Sequence, residues 1–175
     1  MSLVEELAAA EIGATFNFYR EGDRAGLLRR RLADYLAARE HARLLLVGEA
    51  PGYRGARISG LPFTSERQLT GTGPAEATAT IVRAALREFG LEDEALCWNV
   101  VPTHPGTESS NRRPTAVEVA ASYPFLHELT ATRPVLALGR LAERVTGAPY
   151  VRHPSHGGKA AFHEGLLRFR AGGGL

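Results

Sequence analysis

The chain is expected to be an α/β protein, a three-layer α/β/α sandwich with a central four-stranded parallel sheet. Three observations predict this. Short apolar runs alternate with longer stretches of helical periodicity, no internal repeat or long linker interrupts them, and 175 residues with 44% hydrophobic content can bury a sizeable core without cross-links. One domain spanning 1–175 is therefore expected.

The elements follow in order. In RAGLLRRRLADYLAARE, Leu27, Leu28, Leu32 and Leu36 recur at helical spacing, which predicts a helix leading into the buried strand RLLLVGE. From Gly52 to Gly73 the chain is rich in glycine and carries Pro62, so a loop with one helical turn is expected. A second helix runs from about Glu76 to Glu88 and is closed by Gly90. ALCWNVVPT reads as a second buried strand, and its exit HPGTESSNRRPT is polar and bounded by prolines. Thr115, flanked by Pro114 and followed by Glu118, is a start signal for a helix reaching about Ala131. RPVLALGR is a third strand that turns at Gly139 into a short helix ending at Gly147. YVRHPSHGG is a short fourth strand with its loop, and KAAFHEGLLRFR is the last helix.

Charge and cysteine content narrow the partners and the compartment. With 21 basic and 19 acidic residues the net charge is +2, which permits an acidic partner without requiring one. Every basic residue except Lys159 is arginine, suited to bidentate phosphate contacts. Cys97 is the single cysteine, so an internal disulfide, a Cys-rich zinc site and an iron–sulfur cluster held by this chain are excluded, and a reducing cytoplasm is expected. MSLVEELAAAEIGA is acidic without a basic leader, and no apolar run approaches the roughly 18 residues of a membrane span, so neither export nor membrane insertion is expected.

Parallel strands joined by helices bind ligands at their carboxyl ends. Three loops therefore share one rim: those after Val47, after Val101 and around His153. GEAPGYRGARISGLPFTSE, WNVVPT with NRRPT downstream, and HPSHGG lie in that order at those strand ends. Together with LALGR opening the intervening helix, they resemble the motif regions of the uracil-DNA glycosylase superfamily over roughly residues 43 to 170, closest to its GEAPG-bearing iron–sulfur branch. The cysteines of that branch are missing here, which implies a cluster-free relative.

The resemblance implies a monofunctional DNA glycosylase of base-excision repair that hydrolyses deoxyuridine, or another deaminated base, in DNA, as a monomer and with no metal or organic cofactor. Such an enzyme flips the base out of the stack and reads its pairing edge. By resemblance Phe63 stacks on the flipped pyrimidine. Asn99 ends a buried strand, where an unpaired amide is costly, and its carbonyl and NH₂ match N3–H and O4 of uracil. His153 directs an N–H at O2 of the departing base, where negative charge develops. Glu49 positions the attacking water or stabilises the cationic sugar. Gly48, Ala50, Pro51, Gly52 and Tyr53 would form the base pocket, with Gly48, Pro51, Gly52 and Gly55 leaving room for the nucleotide to approach the backbone. Ser155, His156, Gly157, Lys159, Arg57 and Arg112 are the candidate DNA contacts.

Three departures from the family pattern stand out. Where the best-known branch has a water-activating aspartate this chain has Ala50, an alanine that the GEAPG branch shares. Gly52, with Tyr53 next to it, aligns with the thymine-excluding tyrosine of the best-known branch, and Gly157 with a leucine wedge. Other chemistries fit less well. Ser155 lacks a G-x-S-x-G elbow, and His153, His156 and His163 lack metal-ligand spacing with carboxylates. The first loop matches neither a P-loop nor a dinucleotide fingerprint. Two alternatives stay open: a catalytically weak binder of damaged or single-stranded DNA, and a hydrolase of free nucleosides or nucleotides.

Overall fold

In the computed structural model, which describes residues 1–173, the chain opens with helices α1 (Leu3–Ala9) and α2 (Ala25–Ala38) and then enters strand β1 (Leu44–Gly48). Two short helices follow, α3 (Ala56–Ser59) and α4 (Glu66–Thr70), and then α5 (Ala77–Glu88) and β2 (Ala95–Asn99). A two-stranded hairpin, β3 (Gly106–Thr107) and β4 (Ser110–Asn111), precedes α6 (Ala116–Thr130) and β5 (Val135–Leu138). The chain closes with α7 (Arg140–Thr146), β6 (Tyr150–Val151) and α8 (Lys159–Ala171). The segment expected to be loop with one helical turn holds two short helices, and the polar exit of β2 holds an antiparallel hairpin.

The sheet order is β2-β1-β5-β6 and every pairing is parallel, with Leu46 opposite Cys97 on one side and Leu136 on the other. All five residues of β1 and of β2 are buried: β1 lies inside the sheet, and β2, at its edge, is covered on both faces by packed side chains. Alternation along each strand divides the core in two. Leu45, Val47, Leu96, Trp98 and Ala137 pack against α1, α2, α6 and α7. Leu44, Leu46, Cys97, Leu136 and Leu138 face Val82 and Leu86 of α5 and Phe162 and Leu166 of α8. The result is the three-layer α/β/α sandwich.

Start signals act as their chemistry dictates. Thr115 and Glu118 form a reciprocal capping box at the start of α6. Glu118, 1% exposed, also takes a bidentate pair from Arg112, with Nη1 2.8 Å from Oε2, and that guanidinium holds its carboxyl down at about 2. Among the described residues no helix is long and apolar enough to cross a membrane.

Candidate active site

All four strands of the sheet deliver residues to one cleft of about 640 Å³ at their carboxyl ends. Glu49, Ala50, Pro51 and Gly52 follow β1, Asn99 closes β2, Leu138 and Gly139 end β5, and His153, Ser155 and His156 follow β6. Phe63 from the loop before α4 and Glu76 at the start of α5 complete the inner wall.

Asn99 is 4% exposed, yet its side-chain amide has no hydrogen-bond partner among the described residues. Its amide atoms are not sealed in the core but open onto the cleft, which leaves its donor and acceptor free for what binds there. Its position is set by β2, whose Val100 N–H continues the ladder to the Gly48 carbonyl at 2.8 Å.

The imidazole of His153 is held at one edge. Its Nδ1 lies 2.7 Å from Ser155 Oγ and accepts the Ser155 backbone N–H at 3.2 Å. A backbone N–H can only donate, so Nδ1 is the acceptor and Nε2 carries the proton in the neutral ring. Burial, reinforced by His156 and Arg152, pushes the His153 pKa below its ordinary value and favours that neutral form. The site thus presents an N–H donor that needs no added proton.

Phe63 adopts a left-handed backbone conformation, φ 48°, unusual for a bulky residue. The buried Arg83 holds this turn in place. Its guanidinium donates to the Phe63 carbonyl at 3.2 Å and to Thr64 Oγ1 at 2.6 Å. The ring then lies directly on Gly48. A Cβ there would overlap the tip of Phe63 and stand 2.9 Å from Asn99 Oδ1.

The other glycines of the first loop correct the expectation that side chains are withheld for the nucleotide. The space beside Gly52 and Gly55 is filled by the carboxylate of Glu76, whose Cδ would lie 3.0 Å and 2.7 Å from their added Cβ atoms. Glu76 has no hydrogen-bond donor among the described residues, and burial raises its pKa. His104, fully buried, ties the loop to the hairpin, its ring nitrogens facing the carbonyl oxygens of Pro51 (2.8 Å) and Thr107 (2.9 Å). The Tyr53 N–H donates to Asn111 Oδ1 at 2.9 Å.

Of the residues singled out from sequence, the cleft wall gathers Glu49, Ala50, Pro51, Gly52, Phe63, Asn99, Arg112, His153, Ser155 and His156. Gly48 lies beneath Phe63 instead, and Tyr53, Arg57, Gly157 and Lys159 do not line the wall. Several expected DNA contacts are committed within the protein. Arg57 sits over the Phe16 ring and pairs with Glu108 at 3.2 Å, Arg112 is bound to Glu118, and the Ser155 hydroxyl meets His153. Sequence reading missed Glu76, His104 and the basic rim. At that rim Arg113, Arg144 and Arg152 have no carboxylate partner among the described residues, while Arg140 stacks on Tyr150 at 3.9 Å and pairs with Glu143. Among the described residues no three His, Cys, Asp or Glu side chains gather as metal ligands would.

Comparison with known proteins agrees with this architecture. A family model described as the uracil DNA glycosylase superfamily matches residues 35–167. No curated protein matches the chain. Among solved structures 23 chains match. One of these, the crystal structure of wild-type SMUG2 from Pedobacter heparinus, has a TM-score of 0.71 at 16% identity, covering 99% of this chain and 97% of that chain. At that identity the likeness speaks to the fold.

Proposed function

This chain belongs to the uracil DNA glycosylase superfamily, and on that footing we propose that it hydrolyses the N-glycosidic bond of deoxyuridine in DNA. The observation that carries the reading is the pairing of an unpartnered Asn99 amide with the Nε2–H of a His153 held by Ser155, in one cleft beside the Phe63 ring. A flipped pyrimidine enters against Phe63. Asn99 donates to O4 and accepts from N3–H, a pattern that cytosine inverts. As the C1′–N1 bond breaks, its electron pair passes to the base, and His153 Nε2–H donates to the charge gathering on O2. Glu49, at the exit of β1, adds negative charge on the side of the cationic sugar.

The basic rim favours a polymeric substrate over a free nucleoside, because Arg113, Arg144 and Arg152 suit flanking phosphates. Base release from an oligonucleotide carrying one deoxyuridine, single-stranded and opposite G or A, tests the proposal. Release by the wild type that falls about 10²-fold or more in both Asn99→Ala and His153→Ala is expected. DNA binding with no release from any uracil context would overturn the uracil assignment.

A further inference from the structure

The cleft wall carries two carboxylates, Glu49 and Glu76. Their surroundings differ. Glu76 stands at the N-cap of α5, where a shorter Ser, Thr, Asp or Asn would cap the free amides, yet its side chain caps nothing and extends into the cleft. There the bare backbone at Gly52 and Gly55 makes room for it, and it accepts no hydrogen bond among the described residues. Burial weakens it as an acid and strengthens it as a base. The helix gives up a cap, two loop positions are kept free of side chains, and the product is a half-buried carboxylate that packs on Gly52 and Gly55 and lines the same cleft as Ala50.

We propose that Glu76 is a catalytic residue that holds the nucleophilic water against the anomeric carbon of the flipped nucleotide and takes its proton. The inference rests on the glycosylase reading above. The water oxygen forms the new bond to C1′ as C1′–N1 breaks, and the electron pair of that bond leaves with the base. The water proton passes to the Glu76 carboxylate and from there to solvent or to the departing base anion. Water plus deoxynucleotide thus becomes an abasic sugar hydroxyl plus free base. Before the proton moves, the same negative charge faces the developing cation at C1′.

The test uses full-length protein and two duplexes, one with a cationic pyrrolidine abasic analogue and one with neutral tetrahydrofuran at the same position. The wild type is expected to bind the cationic analogue at least about tenfold more tightly, and the isosteric Glu76→Gln to lose most of that preference while binding the neutral analogue as before. Single-turnover base release by Glu76→Gln should fall about 10²-fold or more. The wild-type rate is expected to fall at acid pH as Glu76 is protonated, a loss that should be absent in Glu76→Gln and retained in Glu49→Gln. No cationic preference in the wild type, or a preference unchanged in Glu76→Gln, would overturn the role whatever the rates. If deoxyuridine is not cleaved but the Glu76-dependent preference is present, the uracil assignment fails and the role of Glu76 stands.

Discussion

The backbone N–H of Ser155 lies 3.2 Å from Nδ1 of His153, and this contact leaves Nε2 as the proton-bearing nitrogen of a ring that burial keeps neutral. Removing the ring in His153→Ala should lower the rate of base release about 10²–10³-fold, as loss of one oxyanion donor does elsewhere. Because the folded-state pKa is lowered, the ring is neutral from about its ordinary pKa of 6.5 upward. Base release should therefore not decline as pH rises from about 6.5 to about 8.5. A decline over that range, absent in His153→Ala, would show instead that the imidazolium is required. The rate profile at saturating enzyme decides between the two.

Gly48→Ala should damage stability and activity together. The new Cβ would stand 3.1 Å from Phe63 Cε2 and 2.9 Å from Asn99 Oδ1, in a buried strand with no slack. Overpacking of this kind costs about 1–3 kcal/mol, measurable by urea denaturation. The displaced amide and ring should cost about 10²-fold in base release. Unchanged release in a destabilised variant would detach Phe63 and Asn99 from the chemistry.

Arg112 is expected to matter for folding more than for DNA. Arg112→Ala strands the buried Glu118 with only its capping-box partners and should cost about 1–3 kcal/mol, the lower part of that range if solvent reaches the half-exposed guanidinium. Glu118 titrates at about 2 when folded against an ordinary 4.5. The pair's contribution is thus fully present above about pH 4.5 and is lost as pH falls toward about 2. The stability gap between wild type and variant should narrow over that window. A gap independent of pH would mean that packing, not charge, is what Arg112 supplies.

Arg144 and Arg152 offer the complementary case, rim guanidinium groups with no carboxylate partner among the described residues. Each alanine variant should reduce the slope of log K against log salt for duplex binding by about one, without altering which base is released. Binding titrations at several salt concentrations read this directly. An unchanged slope in both variants would move the phosphate track to another face.

Much of this architecture was legible because it depends on neighbours in sequence. The buried runs of β1, β2 and β5, the Thr115 and Glu118 capping box and the turn at Gly139 all declare themselves within a few residues. Asn99 stood out as an amide closing a buried strand, and its role and that of His153 came from the resemblance of WNVVPT and HPSHGG to the family motifs. Glu76 did not, since a glutamate opening a helix reads as ordinary dipole complementarity, and its place beside Gly52 and Gly55 comes from folding across some twenty residues. The same distance hid the commitment of Arg57 to Phe16 and Glu108. Two-residue strands such as β3 and β4 are too short to show a period.

The packing of Glu76 over two glycines also bears on how this protein's relatives diverge. A methyl group at 52 or 55 and a long carboxylate at 76 compete for the same volume, so neither loop position is free to drift alone. Across homologues the three sites should change as a set, with larger residues in the loop wherever a shorter side chain stands at the helix start. The second and third glycines of GEAPGYRG, Gly52 and Gly55, would then record the fit of one part of the chain against another, and their loss in a lineage would mark where that carboxylate had been given up.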